Sequence, residues 1–503
     1  MTLRRAARGA LLPLVLTFLT SCMVGPNYHR PPPASAPPPR YKELPGWTPA
    51  APADAGPKGD WWTDFHDRLL DQLDPAVRVS NQTILAEYQN YQQALALVRV
   101  ANAALFPTIG ATGTVTRSRL GTSAASTGAG AAATGASYDV VNQGTVEGTL
   151  SWTPDIWGQL RRTIEQNSAT AQASEATLAN ATLSAQITLA TTVINLRVTD
   201  ANIQLLTRTV TEYTENLRVV SNAVRSGYSL YPPSDEVTAR VELENAQASL
   251  IALGVARAQY AHAIAVLVGR NPEDLDIPKS TVLPALPDVP VGVPSILLQR
   301  RPDIAAAERT MDAENAAIGV AVAAYYPDIS LSAAAGFTQA PLAGLFHAAN
   351  SVWSLGATGN ETIYDFGART GQVAAARAAY ESAVATYRAT VLSAFQAVED
   401  DLAGLRILAQ QAAVLEAAVG DAKRGAEIAR NEYLAGTVDY TTVAAAQTTE
   451  LSDEQNALAV QQSRLVDAAT LIGDLGGGWS ASQLHDPSHP LPAHPSGSPS
   501  QAE

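Results

Sequence analysis

Two stretches of the chain repeat an apolar or small residue at every seventh position. Leu189, Leu196, Ile203, Val210, Leu217 and Val224 keep that spacing in the first, and Val384, Val391, Val398, Leu405, Ala412 and Val419 in the second. Such a seam predicts a helix that packs lengthwise against neighbouring helices. Each stretch opens on a glycine after an aromatic turn, Asp155-Ile156-Trp157-Gly158 in one case and Tyr364-Asp365-Phe366-Gly367 in the other. Each also closes on a glycine, Gly227 or Gly436, and the two glycine-to-glycine spans are equal. At about 1.5 Å per residue, a helix filling either span would be roughly 100 Å long. Helices of ordinary globular domains are far shorter, so the chain is built to cross a long distance twice.

Ahead of each rod the period changes from seven to two. Thr108, Gly110, Thr112, Thr114 and Thr116 alternate with Ile109, Ala111, Gly113 and Val115, and Thr145, Glu147, Thr149 and Ser151 with Val146, Gly148, Leu150 and Trp152. A second pair follows Tyr325-Tyr326-Pro327. Its first strand sets Ile329, Leu331, Ala333, Ala335 and Phe337 against Ser330, Ser332 and Thr338; its second sets Trp353, Leu355, Ala357 and Ile363 against Ser354, Thr358 and Asn360. Runs of about ten residues with one apolar face and an aromatic near one end suit an outer-membrane barrel. Taken alone, each pair also reads as a soluble hairpin with one wet face. Four strands cannot close a barrel, and an open edge cannot sit in lipid. If the strands span a membrane, several copies must share one barrel. Two copies leave too narrow a lumen, and three give twelve strands.

The halves match beyond the rods. Residues 81–107 align without a gap with residues 301–327, Ile84 on Ile304 and Phe106-Pro107 on Tyr326-Pro327. The expected organisation starts with a signal segment at 1–21 and a proline-rich extended segment at 22–60. A first repeat at 61–270 holds a hairpin at about 108–153, a long helix at about 158–226 and a return helix at about 234–268. A crossing loop occupies 271–294. The second repeat, 295–475, holds a hairpin at about 328–364, a long helix at about 367–435 and a return helix at about 440–472. The Gly/Pro/Ser/His-rich tail at 476–503 is expected to be disordered. The fold class is therefore mainly α, with long coiled-coil-like helical hairpins and four membrane strands per chain, internally duplicated.

Charge and composition narrow the function. A net charge of −14 speaks against nucleic-acid binding, which needs clustered Lys and Arg. Seven scattered histidines, without metal-ligand spacing, predict no metal site, no cofactor is implied, and one cysteine allows no intrachain disulfide. No nucleophile stands beside a base, so catalysis is not expected. Arg4, Arg5 and Arg8 precede a short apolar run at 11–19, too short to span a bilayer, which reads as a secretory signal. Its ending, Leu19-Thr20-Ser21-Cys22, resembles the lipobox of bacterial lipoproteins. That implies cleavage before Cys22 and its lipidation, a plain signal peptide being the alternative. Met23, in place of Asp, favours the outer membrane by the same resemblance.

Four marks then resemble the outer-membrane factors of the TolC/NodT type, the exit ducts of tripartite efflux pumps. They are the start Cys22-Met23-Val24-Gly25-Pro26-Asn27-Tyr28, the run Leu297-Leu298-Gln299-Arg300-Arg301-Pro302-Asp303-Ile304, the two strand-to-helix turns above, and Tyr433-Leu434-Ala435-Gly436 with Asp439 and Tyr440. The resemblance covers the chain from Cys22 to about Leu475. It implies a homotrimer in outer-membrane lipid, with a twelve-stranded β-barrel and a twelve-helix tunnel extending into the periplasm. Its tip would open when an adaptor protein and an inner-membrane transporter dock. The competing class is a non-pore envelope lipoprotein acting as a coiled-coil spacer or adaptor.

Within that resemblance the tip residues are Gly227, Tyr433, Gly436, Asp439 and Tyr440, with Asp235 and Glu236 at the first turn. Relatives often carry aspartates on the return helix after the second turn, where this chain reads Thr441-Thr442-Val443-Ala444-Ala445-Ala446-Gln447. A charged gate would have to come from Asp439, or from Asp235 and Glu236. All three also read as helix-start residues favoured by the dipole. The Arg301-Pro302-Asp303 run reads as a helix start with local pairing. Substrate and pump class are not legible.

Overall fold

A computed structural model describes residues 23–34, 37–38, 40–43, 60–119, 140–226, 232–289 and 297–487. Its elements in chain order are α1 (Arg68–Ser80), α2 (Gln82–Ala103), β1 (Thr108–Arg119), β2 (Val140–Trp152), α3 (Gln159–Arg225) and α4 (Pro233–Leu267). The second half runs through α5 (Pro302–Ala323), β3 (Asp328–Gln339), β4 (Ser351–Asn360), α6 (Ala368–Leu434) and α7 (Tyr440–Asp474). The duplication extends to element length. The long helices α3 and α6 both have 67 residues, the return helices α4 and α7 both have 35, and α2 and α5 both have 22.

The strands form one antiparallel sheet in the order β1-β2-β3-β4. The hairpins follow from the alternation. The central β2–β3 pairing, from Gly144 opposite Gln339 to Trp152 opposite Leu331, joins the two halves. The outer edges of β1 and β4 are left without a neighbour, and every residue of both strands is exposed.

Each long helix starts the same way. Gly158 (φ 84°) and Gly367 (φ 88°) stand in left-handed geometry immediately before α3 and α6, where a side chain would be strained. The preceding aspartates supply the caps. Asp155 accepts from the Leu160 and Arg161 amides and pairs with the Arg161 side chain at 2.9 Å; Asp365 accepts from the Gly367 and Arg369 amides and pairs with Arg369 at 2.7 Å. Trp157 stacks on Tyr326 at 4.9 Å and donates to the Pro327 carbonyl, tying the first rod to the second hairpin.

The layer has four helices abreast at every height. Near the sheet the order is α2-α3-α5-α6, and farther away it is α4-α3-α7-α6. The short helices therefore meet end to end. At one joint Asn81 caps α2, accepting from Thr83 and Ile84, while its amide donates to the Leu267 carbonyl at the end of α4. At the other, Arg301 occupies the N-cap position of α5. It pairs with Asp303 (2.8 Å) and with Asp474 at the end of α7 (2.9 Å). The largest core lies at this level, where Trp61, Trp62, Phe65, Leu70 and Val77 pack with Leu189, Leu196, Val398, Leu402 and Leu465. The crossing loop is pinned beside it. Arg257 bridges the buried Asp200 (2.7 Å) and the Ile277 carbonyl, and Asp200 also accepts from the Ser280 amide.

The described part of the proline-rich segment runs along the surface of the helices. Fully buried Arg162 grips the Val24 and Gly25 carbonyls and the Asn27 side chain, and Glu399 accepts from the Lys42 and Glu43 amides. The signal segment and Cys22 lie outside the described residues. One expectation needs correction. Residues 476–487, read from composition as the start of a disordered tail, are ordered. Gly476 (φ 98°) and Gly477 close α7 with bonds to the Gly473 and Ile472 carbonyls, turning the chain back onto α3. There the His485 amide and ring both engage Glu175, at 2.9 Å and 2.7 Å. Residues 488–503 lie outside the described set.

Candidate functional site

The end of the rods farthest from the sheet is built by two helical turns. The second is fully described. Helix α6 stops in a Schellman motif, the Gly436 amide bonding to the Tyr433 carbonyl and the Thr437 amide to Glu432. Gly436 carries the left-handed φ of 74° that this stop requires. Helix α7 then starts at Tyr440 with Asp439 as its cap. Asp439 accepts from the Thr442 amide (3.3 Å) and the Thr441 and Thr442 hydroxyls (2.6 and 3.1 Å). Those donors, Thr441 first, hold its carboxyl below the usual aspartate range. The residue is exposed and its oxygen is committed to its own helix, the cap geometry expected of this residue type.

Beneath the turn, Tyr433 and Tyr440 are both buried, their rings meeting edge to face at 5.4 Å. Val220, Ala239, Ala429, Val443 and Ala444 surround them, so all four long helices contribute. The hydroxyls point across the repeat boundary. Tyr433 donates to Asp235 at 3.5 Å and Tyr440 to Glu242 at 3.4 Å, both on α4. These are long for O–H···O bonds, so apolar packing of the rings holds them as much as the polar contact does.

Burial changes the carboxylates. Asp235 is 2% exposed, and burial, then the nearby Asp439 charge, raises its pKa. Glu242 is pushed up to about 7 by burial, against the lowering effect of the Tyr440 hydrogen bond. Glu236 instead pairs with Arg240 at 2.9 Å along its own helix. The structure thus gathers Tyr433, Gly436, Asp439, Tyr440 and Asp235 at one end and leaves Glu236 in a local pair. Gly227 lies outside the described residues. Sequence reasoning missed Glu242. The available signal was a shared step of seven, since Glu242 follows Asp235 by the interval that separates Tyr440 from Tyr433.

The second functional feature is lateral. In the lower half α4 and α6 flank the layer, and these two helices alone among the described residues are apolar and long enough to cross a membrane by composition. Their apolar residues are mostly not buried. Val237, Val241, Ile251 (75% exposed) and Val255 form a stripe on α4, and Ile407, Val414 (70%) and Ile428 one on α6. The heptad spacing of the α6 stripe is that of a helix packing seam. The sheet edges β1 and β4 and the helix edges α4 and α6 are the chain's open sides.

Comparison with known proteins agrees with this architecture. A sequence model described as "Outer membrane efflux protein" matches residues 75–270 and 293–477. The probable efflux pump outer membrane protein TtgC of Pseudomonas putida is 31% identical, over 93% of this chain and 96% of its own. The solvent efflux pump outer membrane protein SrpC of Pseudomonas putida is 32% identical, over 83% of this chain and 87% of its own. Among solved structures, the Neisseria gonorrhoeae MtrE outer membrane channel superposes with a TM-score of 0.78 at 25% identity, covering 92% of this chain and 99% of that one.

Proposed function

The chain belongs to the outer membrane efflux protein family, and from that premise we propose that it is the outer-membrane exit duct of a tripartite efflux pump. Substrate enters at the periplasmic end from an adaptor and an inner-membrane transporter, and leaves through the barrel. The duct conducts passively and performs no chemistry.

One observation carries the reading: sheet and helical layer both end in unfinished sides. Unpaired strand edges cannot remain in lipid, and exposed apolar heptad stripes call for a helix to cover them. Copies of the same chain satisfy both needs, β4 of one pairing with β1 of the next and α6 of one packing on α4 of the next. Three copies give twelve strands and twelve helices abreast, a barrel continuous with a tunnel. A spacer without a pore leaves the lipid-compatible strands without a purpose. Lipidation of Cys22 would fix the start of the mature chain in the membrane beside Trp157 and Gly158, since the Val24 amide bonds to the Trp157 carbonyl and Met23 packs on Gly158.

The tip is the gate in this reading. Tyr433 and Tyr440 tie the second repeat to α4 of the first, and widening the tunnel mouth means moving α7 away from α4. Docking energy from the adaptor would then be spent on separating the tyrosines from Asp235 and Glu242. The test is the mass and conductance of the detergent-extracted full chain. A trimer that conducts in planar bilayers, together with drug sensitivity on deletion, is the expected result; a monomer that never conducts would sink the proposal.

A further inference from the structure

The outer rim of the sheet carries a feature that conduction does not need. The register fixes the faces. Ile109 lies opposite Leu150, Leu150 opposite Ala333, and Ala333 opposite Leu355, so these residues share one face, and it is the apolar one. Val115, Gly144 and Gln339 are aligned on that same face near the end of the sheet farthest from the helices. The β3–β4 loop folds back over it. Leu342 and Leu345 occupy the space that a side chain on Gly144 would fill, and Phe346 meets Phe337 edge to face at 5.7 Å. The loop is held in this shape by bonds from the Asn350 side chain and the His347 amide to the Gly344 carbonyl (2.7 and 2.9 Å). Phe346 nevertheless remains 69% exposed. An apolar wedge therefore projects outside the sheet at its outer rim.

Arg117 and Arg119 stand beside it. They follow Val115 by two and four positions, so alternation puts them on the same outward face, and both are exposed. Arg117 lies opposite Asn142, two residues from Gly144, which places it about 7 Å along the strand from the wedge. An arginine on the lipid-facing side of a barrel is costly in the hydrocarbon and tolerable only at the interface. Lipid headgroups lie at that depth, and guanidinium, with several donors, favours phosphate through paired hydrogen bonds. Charge next to an apolar wedge complements one kind of molecule, an anionic lipid with its phosphate on the arginines and its first acyl carbons on Leu342 and Phe346.

We propose that Arg117 and Arg119, with Leu342, Leu345 and Phe346, form a binding site for a phosphorylated lipid of the outer leaflet. The site rests on reading the strands as a barrel wall in the outer membrane. The test uses the full-length protein in detergent, titrated with bisphosphorylated lipid A and with the same lipid stripped of its phosphates, bound lipid being counted by native mass spectrometry. The wild type should bind the phosphorylated form at least about tenfold more tightly. The double variant Arg117→Gln/Arg119→Gln should lose that preference, and Phe346→Ser should weaken both lipids alike. Equal binding of the two lipids by the wild type, or an unchanged preference in the double variant, overturns the site. Conductance of the same preparations separates the two levels. Intact conductance without lipid preference removes only the lipid site, whereas a wild type that never inserts removes the barrel reading beneath it.

Discussion

The Tyr440 hydroxyl reaches Glu242 at 3.4 Å, and seven residues earlier on both segments Tyr433 reaches Asp235. The two contacts form a short ladder between the repeats, with aromatic rails and carboxyl rungs. If it latches the tip, Tyr433→Phe and Tyr440→Phe should each raise leak conductance modestly, because each keeps the ring and removes only a long hydrogen bond. Asp235→Ala should raise it more, since it removes a buried side chain and its packing beneath the turn as well as the contact to Tyr433. Single-channel recording of the full chain decides the matter, and leak equal to wild type in all three would remove the latch.

The Glu242 rung also predicts a pH dependence. Its carboxyl titrates near 7 in the packed tip, against 4.5 for an ordinary glutamate, because burial penalises the charge. The packed form therefore binds more protons than the open form between those values. Its stabilisation is complete below about 4.5, declines as pH rises, and is gone above about 7. Asp235 is shifted in the same direction by burial and by Asp439. Leak should fall as pH is lowered from 7.5 to 5, and Glu242→Gln should flatten the curve. A wild-type leak that rises on acidification contradicts the assignment.

Asp439 separates a cap from a charge. Its oxygens serve the Thr441 and Thr442 donors at the start of α7. Asparagine can accept the same bonds at an N-cap, whereas alanine cannot. Asp439→Asn should then leave leak near wild type and Asp439→Ala should raise it. If both raise it equally, the negative charge itself works at the mouth.

Much of this architecture was legible because it repeats. The seven-residue spacing at Leu189, Leu196, Val384, Val391, Val398 and Leu405 marks residues that the fold buries, and equal glycine-to-glycine spans anticipated helices of equal length. The tyrosine–carboxyl ladder was not legible as contacts. Its members lie 198 residues apart, and the shared step of seven points to Glu242 only once Tyr433 and Asp235 are known to meet. Helix α1 was hidden by Pro75, a helix breaker in isolation, which the packing of Leu70, Leu73 and Val77 overrides. The ordering of residues 476–487 depends on Glu175, more than 300 positions away, which no compositional reading of a Gly-rich tail can supply.

The exposed stripes give a prediction about assembly. Ile251 and Val255 on α4 face away from their own chain. In the proposed ring they lie under α6 of a neighbour. Replacing both with glutamate should cost the monomer little, since surface substitutions usually fall within about 0.5 kcal/mol. Placed in an interface, the same charges would be desolvated without partners. The detergent particle should shrink toward the mass of one chain while its helical circular dichroism persists. A variant that keeps the wild-type mass would leave the α4 stripe outside the contact between copies.

Arg301 offers the sharpest test of the joint between stacked helices. Its guanidinium pairs with Asp303 and Asp474, and its side chain is only 15% exposed. Asp474 lies close enough to Asp401 to help raise the latter's pKa, burial being the larger cause. Removing the cation therefore does more than delete one pair. It leaves Asp303 and Asp474 without their shared counter-charge, Asp474 also standing beside Asp401. Both aspartate side chains are 27% exposed, so the cost falls below the roughly 3–5 kcal/mol of a fully buried pair. Arg301→Ala should lower the unfolding temperature markedly. Arg301→Lys should recover only part of the loss, because a point charge cannot reproduce the paired bonds to Asp303 while also reaching Asp474. Asn81 makes the equivalent joint with a neutral amide, so Asn81→Ala should cost less than Arg301→Ala in the same thermal unfolding assay. Equal losses would mean that the charge at Arg301 adds nothing beyond what the neutral Asn81 side chain supplies at the other joint.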